Sequence, residues 1–419
     1  MKKYLFSANI CLPDFSRVDG QKWASVACDQ FTSQPEYWAE AREFVGDMPS
    51  TLDLMLPEAY LDRKEELIPV INDHMKKYLS DVLVEHKDSM IYLERVQYDG
   101  RVRNGIIGAV DLEEYDYRKG ATTCTRATEG TVLERIPPRV AIRRGAVIEM
   151  PHIMILIDDP DKTVIEPVAQ KARQYKLAYD FDLMAGGGHA TGYFIDKEDF
   201  DGINEALSAL ATPDAMMKKY GVDAPALLFA IGDGNHSLAT AKSLYEEIKA
   251  EIGEEAAKAH PARYALCEIV NLHDEALDFE PIYRVIFGVE PEKFVAEFED
   301  YLGSLDGGAD EQSFEIVFGD ECKKLIARTP TAQLAVGTAQ NFIDEYLKTH
   351  PSATVDYIHG VEVTKNLAKK ENAVGLLFDG MEKNMLYKTV ICDGALPRKT
   401  FSMGHAEDKR YYIECRKIR

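Results

Sequence analysis

Two glycines set between a continuous apolar run and an amphipathic helix constrain this chain more than any other feature. Ala226-Leu227-Leu228-Phe229-Ala230-Ile231 has no polar side chain, and a short apolar run ended by a turn reads as a buried strand. Gly232-Asp233-Gly234-Asn235-His236-Ser237 follows at once. Leu238, Ala241, Leu244, Tyr245, Ile248 and Ile252 then recur on one face of a helix. Other apolar runs (Met90–Val96, Gly105–Val110, Ile153–Ile157, Tyr264–Val270, Ile282–Phe287) alternate with helical patterns at 63–85 and 202–217. The pattern predicts an α/β or α+β fold with mixed sheets.

The same turn is the strongest chemical signal. Glycine lets backbone N–H groups approach a ligand closely. A helix N-terminus offers amides outside the helical ladder and a partial positive charge, which suits phosphate. His236 is placed to donate to an anion or move a proton, and Ser237 adds a hydroxyl. Asp233 is placed to bind a metal or to orient an acceptor. Gly232, Gly234, Asn235 and Ser237 are the candidate phosphate-binding residues, and no metal ligand set is assigned. An ordinary strand-to-helix turn capped by Asn235 or Ser237 would carry the same pattern. The spacing is neither a Walker loop nor a dinucleotide fingerprint.

Charge narrows the partners. The net charge is −22 and no run of five Lys/Arg occurs, so a phosphate-backbone surface for nucleic acid is not expected. Against that acidity, Arg126, Arg135, Arg139, Arg143 and Arg144 fall within nineteen residues. Arginine forks bind carboxylate and phosphate in bidentate fashion, so Arg126 and Arg139 are candidate substrate ligands, with Glu129 or Glu134 as a base or a balancing charge. Surface ion pairs are the plain alternative. Asp29 and Gln30, in Ala27-Cys28-Asp29-Gln30-Phe31-Thr32-Ser33-Gln34 beside a short strand, are further candidate substrate ligands, with an ordinary helix cap as the alternative. Gly186-Gly187-Gly188-His189 reads as a loop. His152 and His273 are weaker candidates.

The seven cysteines are scattered and odd in number, which fits reduced thiols and a cytoplasmic setting. No signal-peptide core and no apolar run of membrane-spanning length is present. A boundary is expected near residue 290, dividing 1–290 from a smaller α+β part at 291–419. In that tail, Val374–Phe378, Leu386–Cys392 and Arg410–Arg416 read as strands. Oligomeric state is not legible.

The strings Ala27 to Trp38, Arg126 to Arg139 and Gly232 to Ser237 resemble the family named domain of unknown function 1015. Asp393-Gly394-Ala395-Leu396-Pro397-Arg398-Lys399-Thr400-Phe401-Ser402-Met403-Gly404 resembles its clostridial-type branch. The family's D-G-[HN]-H-[RS] turn is in turn similar to that of ParB/sulfiredoxin-like folds and of free serine kinases, where it cradles nucleotide phosphates. The resemblance implies a ParB/sulfiredoxin-like core. It also implies nucleotide-dependent phosphoryl transfer to a small hydroxy amino acid, serine or phosphoserine, with ATP or ADP and Mg²⁺. Glu129 is then the candidate catalytic base beside His236 and Asp233. Ser237 stands where many relatives carry arginine, so an arginine from 126–144 would have to replace it. A phosphoserine phosphatase and a non-catalytic nucleotide-binding switch are the alternatives.

Overall fold

A computed structural model describes residues 2–130, 136–404 and 406–419. The chain forms two compact units. The first takes residues 1–127, 131–277 and 404–419, and the second takes 128–130 and 278–403. The division falls at 277/278 and not near 290, because the strand Phe279–Phe287 is built into the second unit's sheet. The last sixteen residues return to the first unit, where Cys415–Lys417 pairs with Ala8–Pro13 and with Ile148–Glu149.

A nine-stranded mixed sheet organises the first unit. Its order is Lys176–Asp182, His189–Phe194, Ile91–Val96, Val102–Asp111, Tyr264–Asn271, Met154–Ile157, Phe229–Asp233, Thr125–Ala127 and Tyr115–Asp116. Successive side chains of a strand face opposite sides, and here both sides are buried. Tyr92, Ile106, Ile155 and Ile269 join the core under Leu238, Ala241, Leu244 and Tyr245 of the helix Asn235–Ile252. Ile91, Leu93, Ile107 and Leu266 join a second core with Trp23, Trp38 and Ile10. A four-stranded sheet, of Leu83–Ser89, Ala8–Pro13, Cys415–Lys417 and Ile148–Glu149, contributes to that second side. Burial on both faces explains why the strand sequences read as apolar runs and not as clean alternation.

Charge is also buried within this unit. Glu268 is fully buried and receives Arg103 Nε at 3.1 Å, Arg103 Nη2 at 3.3 Å and Arg410 Nη1 at 3.3 Å. Arg410 further pairs with buried Glu414. Such a set holds together only while every member is partnered.

The second unit is a six-stranded antiparallel sheet, with Phe279–Phe287 between Ala373–Phe378 and Thr354–His359. Phe294 and Phe298 of the helix Pro291–Ser304 meet Phe342 of the helix Ala335–Thr349. Two local expectations are corrected. Residues 386–392 lie in a helix, Met385–Asp393, closed by Gly394 in the left-handed region. The helical stretch at 202–217 is two helices, Phe200–Leu210 and Pro213–Tyr220, because Thr212 caps the second by accepting from the Ala215 N–H and Pro213 begins it. The mixed α/β class stands.

Candidate functional site

The strand Phe229–Asp233 ends in Gly234, whose φ of +81° and ψ of 26° lie in the left-handed region. A side chain there would be strained and crowded. An added Cβ would sit 3.1 Å from Ile153 Cα and 3.2 Å from Ile153 Cγ1. That conformation turns the chain into the eighteen-residue helix Asn235–Ile252. Its first backbone bond runs from the Leu238 N–H to the Gly234 carbonyl at 3.0 Å, so the amides of Asn235, His236 and Ser237 precede the helical ladder. Gly232 is needed for a different reason: a Cβ there would meet Leu156 Cγ at 2.9 Å.

Sheet pairing brings remote residues to this turn. Met154–Ile157 runs antiparallel to Phe229–Asp233, with Met154 opposite Asp233. His152, two residues earlier, therefore lies beside the start of the helix. Its Nε2 is 3.0 Å from Ser237 Oγ, and its Nδ1 is 2.8 Å from the Tyr412 hydroxyl. The bridge of Ser25–Val26 with Tyr411–Tyr412 carries the 27–30 segment to the same place. The Cys28 N–H donates to the Tyr412 oxygen at 3.3 Å, and Asp29 Oδ2 lies 3.9 Å from His152 Nε2. Gln30 Nε2 donates to Asp29 Oδ1 at 2.9 Å. Lys409 places its ammonium 3.2 Å from Asp233 Oδ2.

The electrostatics follow from these neighbours. Burial pushes the Asp233 carboxyl up, but Lys409, His152 and the Gly234 N–H outweigh it and hold the group below the ordinary aspartate range. It is therefore an anion at neutral pH. Burial raises the Cys28 thiol to about 12 and the Tyr412 phenol well above its ordinary value. Both stay protonated, so neither is a thiolate or phenolate nucleophile.

The other sequence candidates are distributed as follows. Arg139, on the helix Ile136–Arg144, pairs with Glu58, whose N–H donates to the Cys28 carbonyl at 2.8 Å. It therefore borders the cluster through the 27–30 segment. Arg126 is 4% exposed and donates to the carbonyls of Thr123 at 2.7 Å, Pro225 at 2.8 Å and Ala226 at 3.4 Å. Those acceptors lie toward the start of the 229–233 strand, away from the Asp233 turn. Arg143 and Arg144 pair with Glu149 and Glu247. Glu129 belongs to the second unit, where it bridges to Leu396. Glu134 and Arg135 lie outside the described residues. His236 is half-buried, and its carbonyl accepts from Thr240 Oγ1 at 2.7 Å. His273 instead bonds Asp158 at 2.6 Å. His189, in the glycine-rich loop, lies between Asp180 at 2.6 Å and Asp182 at 2.7 Å.

Sequence reasoning did not find Lys409 or Tyr412 and gave His152 little weight. The one local signal was the Pro151-His152 pair at the mouth of the apolar run 153–157. Among the described residues no group of three or more His, Cys, Asp or Glu is placed to hold a metal. No described helix is long and apolar enough to cross a membrane.

A mixed α/β unit with a polar cluster at a glycine-bounded helix N-terminus is thus the class that fold and site define. The chain belongs to the family described as protein of unknown function (DUF1015), whose model matches residues 14–388. No curated protein matches the sequence significantly. Among solved structures, a free serine kinase in complex with AMP is similar at 10% identity and a TM-score of 0.38, covering 74% of this chain and 91% of that one. A mutant free serine kinase in complex with ADP gives 12% and 0.38, covering 76% and 93%. A conserved hypothetical protein from Pyrococcus furiosus gives 11% and 0.35, covering 73% and 93%.

Proposed function

We propose that this protein moves a phosphoryl group between a nucleotide, ATP or ADP, and the hydroxyl of a small amino acid of the serine class. The observation that carries the reading is the Gly234 turn, which presents the amides of Asn235–Ser237 at the end of a buried strand with the Lys409 ammonium alongside. Fixed amides and a cation suit a phosphate held during transfer, where catalysis is mostly positioning and neutralisation of charge. The similarity of the turn sequence to that of nucleotide-binding relatives supports the same reading. Asp233 keeps Lys409 in place, and Asp29 and Gln30 line the same cluster. Arg139 borders it and offers a fork for a carboxylate.

Magnesium fits this site only as a companion of the nucleotide. The described residues form no cage of their own, and Mg²⁺ is commonly held by one or two carboxylates together with phosphate oxygens. When bound, it would neutralise phosphate charge.

Phosphorus NMR tests the reading. The purified protein is incubated with Mg²⁺ and phosphoserine, with ADP, AMP or no nucleotide in parallel. Formation of ATP from ADP, or of ADP from AMP, supports phosphotransfer. Inorganic phosphate released without nucleotide makes the protein a phosphatase. Unchanged spectra in every tube remove serine-class transfer and leave the nucleotide-binding switch, which equilibrium binding of ATP and ADP then decides.

A further inference from the structure

Three side chains from distant parts of the chain converge beside Gly234 in an order that enzymes use to activate a hydroxyl. Ser237 Oγ meets His152 Nε2 at 3.0 Å, and His152 Nδ1 meets the Tyr412 hydroxyl at 2.8 Å. His152 is 7% exposed and Ser237 half-buried, so the base is the more sheltered of the two. A nucleophile, a base within hydrogen-bond reach and a third group that orients the base make up the pattern of covalent catalysis. Ser237 also sits in the first turn of an eighteen-residue helix, where negative charge forming on an attached group is stabilised.

We propose that Ser237 is a covalent nucleophile, with His152 as its base and Tyr412 as the positioning residue, and that it accepts a phosphoryl group from a nucleoside polyphosphate or a phosphate monoester. The Ser237 Oγ–P bond forms as the bond from phosphorus to the leaving oxygen breaks. The Oγ proton passes to His152 Nε2, which gives it to the leaving alkoxide of a monoester or, when a nucleoside diphosphate departs as the anion, releases it to solvent before the second half. In the second half, an incoming hydroxyl attacks phosphorus, its proton is taken up at the same nitrogen, and Oγ leaves and is reprotonated there.

The tautomer this requires agrees with the surroundings. Tyr412 remains a neutral phenol, its ionisation opposed chiefly by burial. The Tyr412 oxygen, which already accepts the Cys28 N–H at 3.3 Å, keeps a lone pair for a proton on His152 Nδ1. Nε2 is then free of hydrogen and faces Ser237. Asp29 Oδ2, 3.9 Å from that nitrogen, favours the imidazolium formed once the proton has moved. Asp233, which interacts electrostatically with His152 and pairs with Lys409 at 3.2 Å, adds a further charged group near the ring.

Only the identity of the electrophile rests on the phosphotransfer reading; the activated hydroxyl rests on geometry. Two assays on the full chain separate them. In the first, a fluorophosphonate reagent is applied and the modified peptide is found by mass spectrometry. One label per chain on Ser237 is expected, absent in Ser237→Ala and slowed about 100-fold or more in His152→Ala, the range for loss of a general base. Circular dichroism confirms that each variant is folded, and His152→Gln is the second choice if His152→Ala is not. In the second, the protein is quenched after exposure to ATP or phosphoserine with Mg²⁺, and phosphate on Ser237 is sought. Tyr412→Phe should still label fully but with a displaced pH–rate midpoint, a change that lost packing alone does not produce.

Failure of Ser237 to take the fluorophosphonate overturns the proposal, whatever the outcome with nucleotides. So does undiminished phosphotransfer by Ser237→Ala. Labelling that depends on His152, without phosphate from either donor, upholds the nucleophile and overturns the phosphoryl electrophile.

Discussion

Replacing Gly234 with alanine tests the turn on which the site depends, and the structure supplies its own control. At Gly234 (φ +81°, ψ 26°) alanine must adopt the left-handed conformation, which costs about 1–2 kcal/mol. Its methyl would also stand 3.1 Å from the backbone Cα of Ile153 and 3.5 Å from His152 Cδ2. Ile153 leads directly into the central strand Met154–Ile157, and its carbonyl is held by the Glu268 N–H at 3.0 Å, so overpacking adds roughly 1–3 kcal/mol. Gly221 closes the helix Pro213–Tyr220 at φ 69° and ψ 22°, with nothing within 4 Å of an added Cβ. Gly221→Ala therefore carries the conformational cost alone. The two tryptophans, Trp23 and Trp38, are both buried in the first unit, so their fluorescence during urea unfolding follows the unit that holds both glycines. Gly234→Ala should exceed Gly221→Ala by roughly 1–3 kcal/mol, the packing term alone. Equal losses would show that the backbone gives way at Ile153 and refute the crowding at Gly234.

Three further outcomes follow from the charges. Lys409→Met removes the main attraction that counters burial at Asp233, so its carboxyl should titrate higher in carbon NMR, and nucleotide should bind about 10- to 100-fold more weakly, the value of a charge-assisted contact. In the wild type Asp233 lies below its ordinary value; its stabilisation is present above that value and lost as pH falls through the folded one, so an acid midpoint unchanged by Lys409→Met would contradict the assignment. At His189 burial lowers the value, but Asp182 and Asp180 outweigh it and the net shift is upward. Stabilisation by protonated His189 is therefore full below about 6.5 and lost as pH rises through the higher folded value. Proton NMR should show that midpoint fall in Asp180→Asn, and a wild-type midpoint at or below 6.5 would sink the idea. Arg103→Met strips buried Glu268 of two of its three contacts and should cost about 3–5 kcal/mol in urea unfolding, with Arg103→Met/Glu268→Gln recovering part of it. No recovery in the double variant would mean that lost packing, not unpaired charge, sets the cost.

What the sequence determined by itself was local. The apolar run 226–231, the paired glycines and the 3.6-residue recurrence from Leu238 to Ile248 specify strand, turn and helix from neighbouring residues alone. Reading failed where local preference was ambiguous. Leu386–Cys392 is as apolar and β-branched as a strand, yet it forms a helix that buries Leu386, Tyr387 and Val390, because short apolar runs fit either structure until packing decides. Thr212-Pro213 was a legible cap that the continuous helical pattern obscured. The tertiary structure alone decided the company the turn keeps. Arg126, adjacent in the sheet, spends its donors on backbone carbonyls, while Lys409 and Tyr412, far along the chain, reach Asp233 and His152. Hydrophobic periodicity records which face of each element is buried. It does not record which strands pair, and it is the register that sets Met154 opposite Asp233 and Tyr412 opposite Ser25 that converts scattered polar residues into one site.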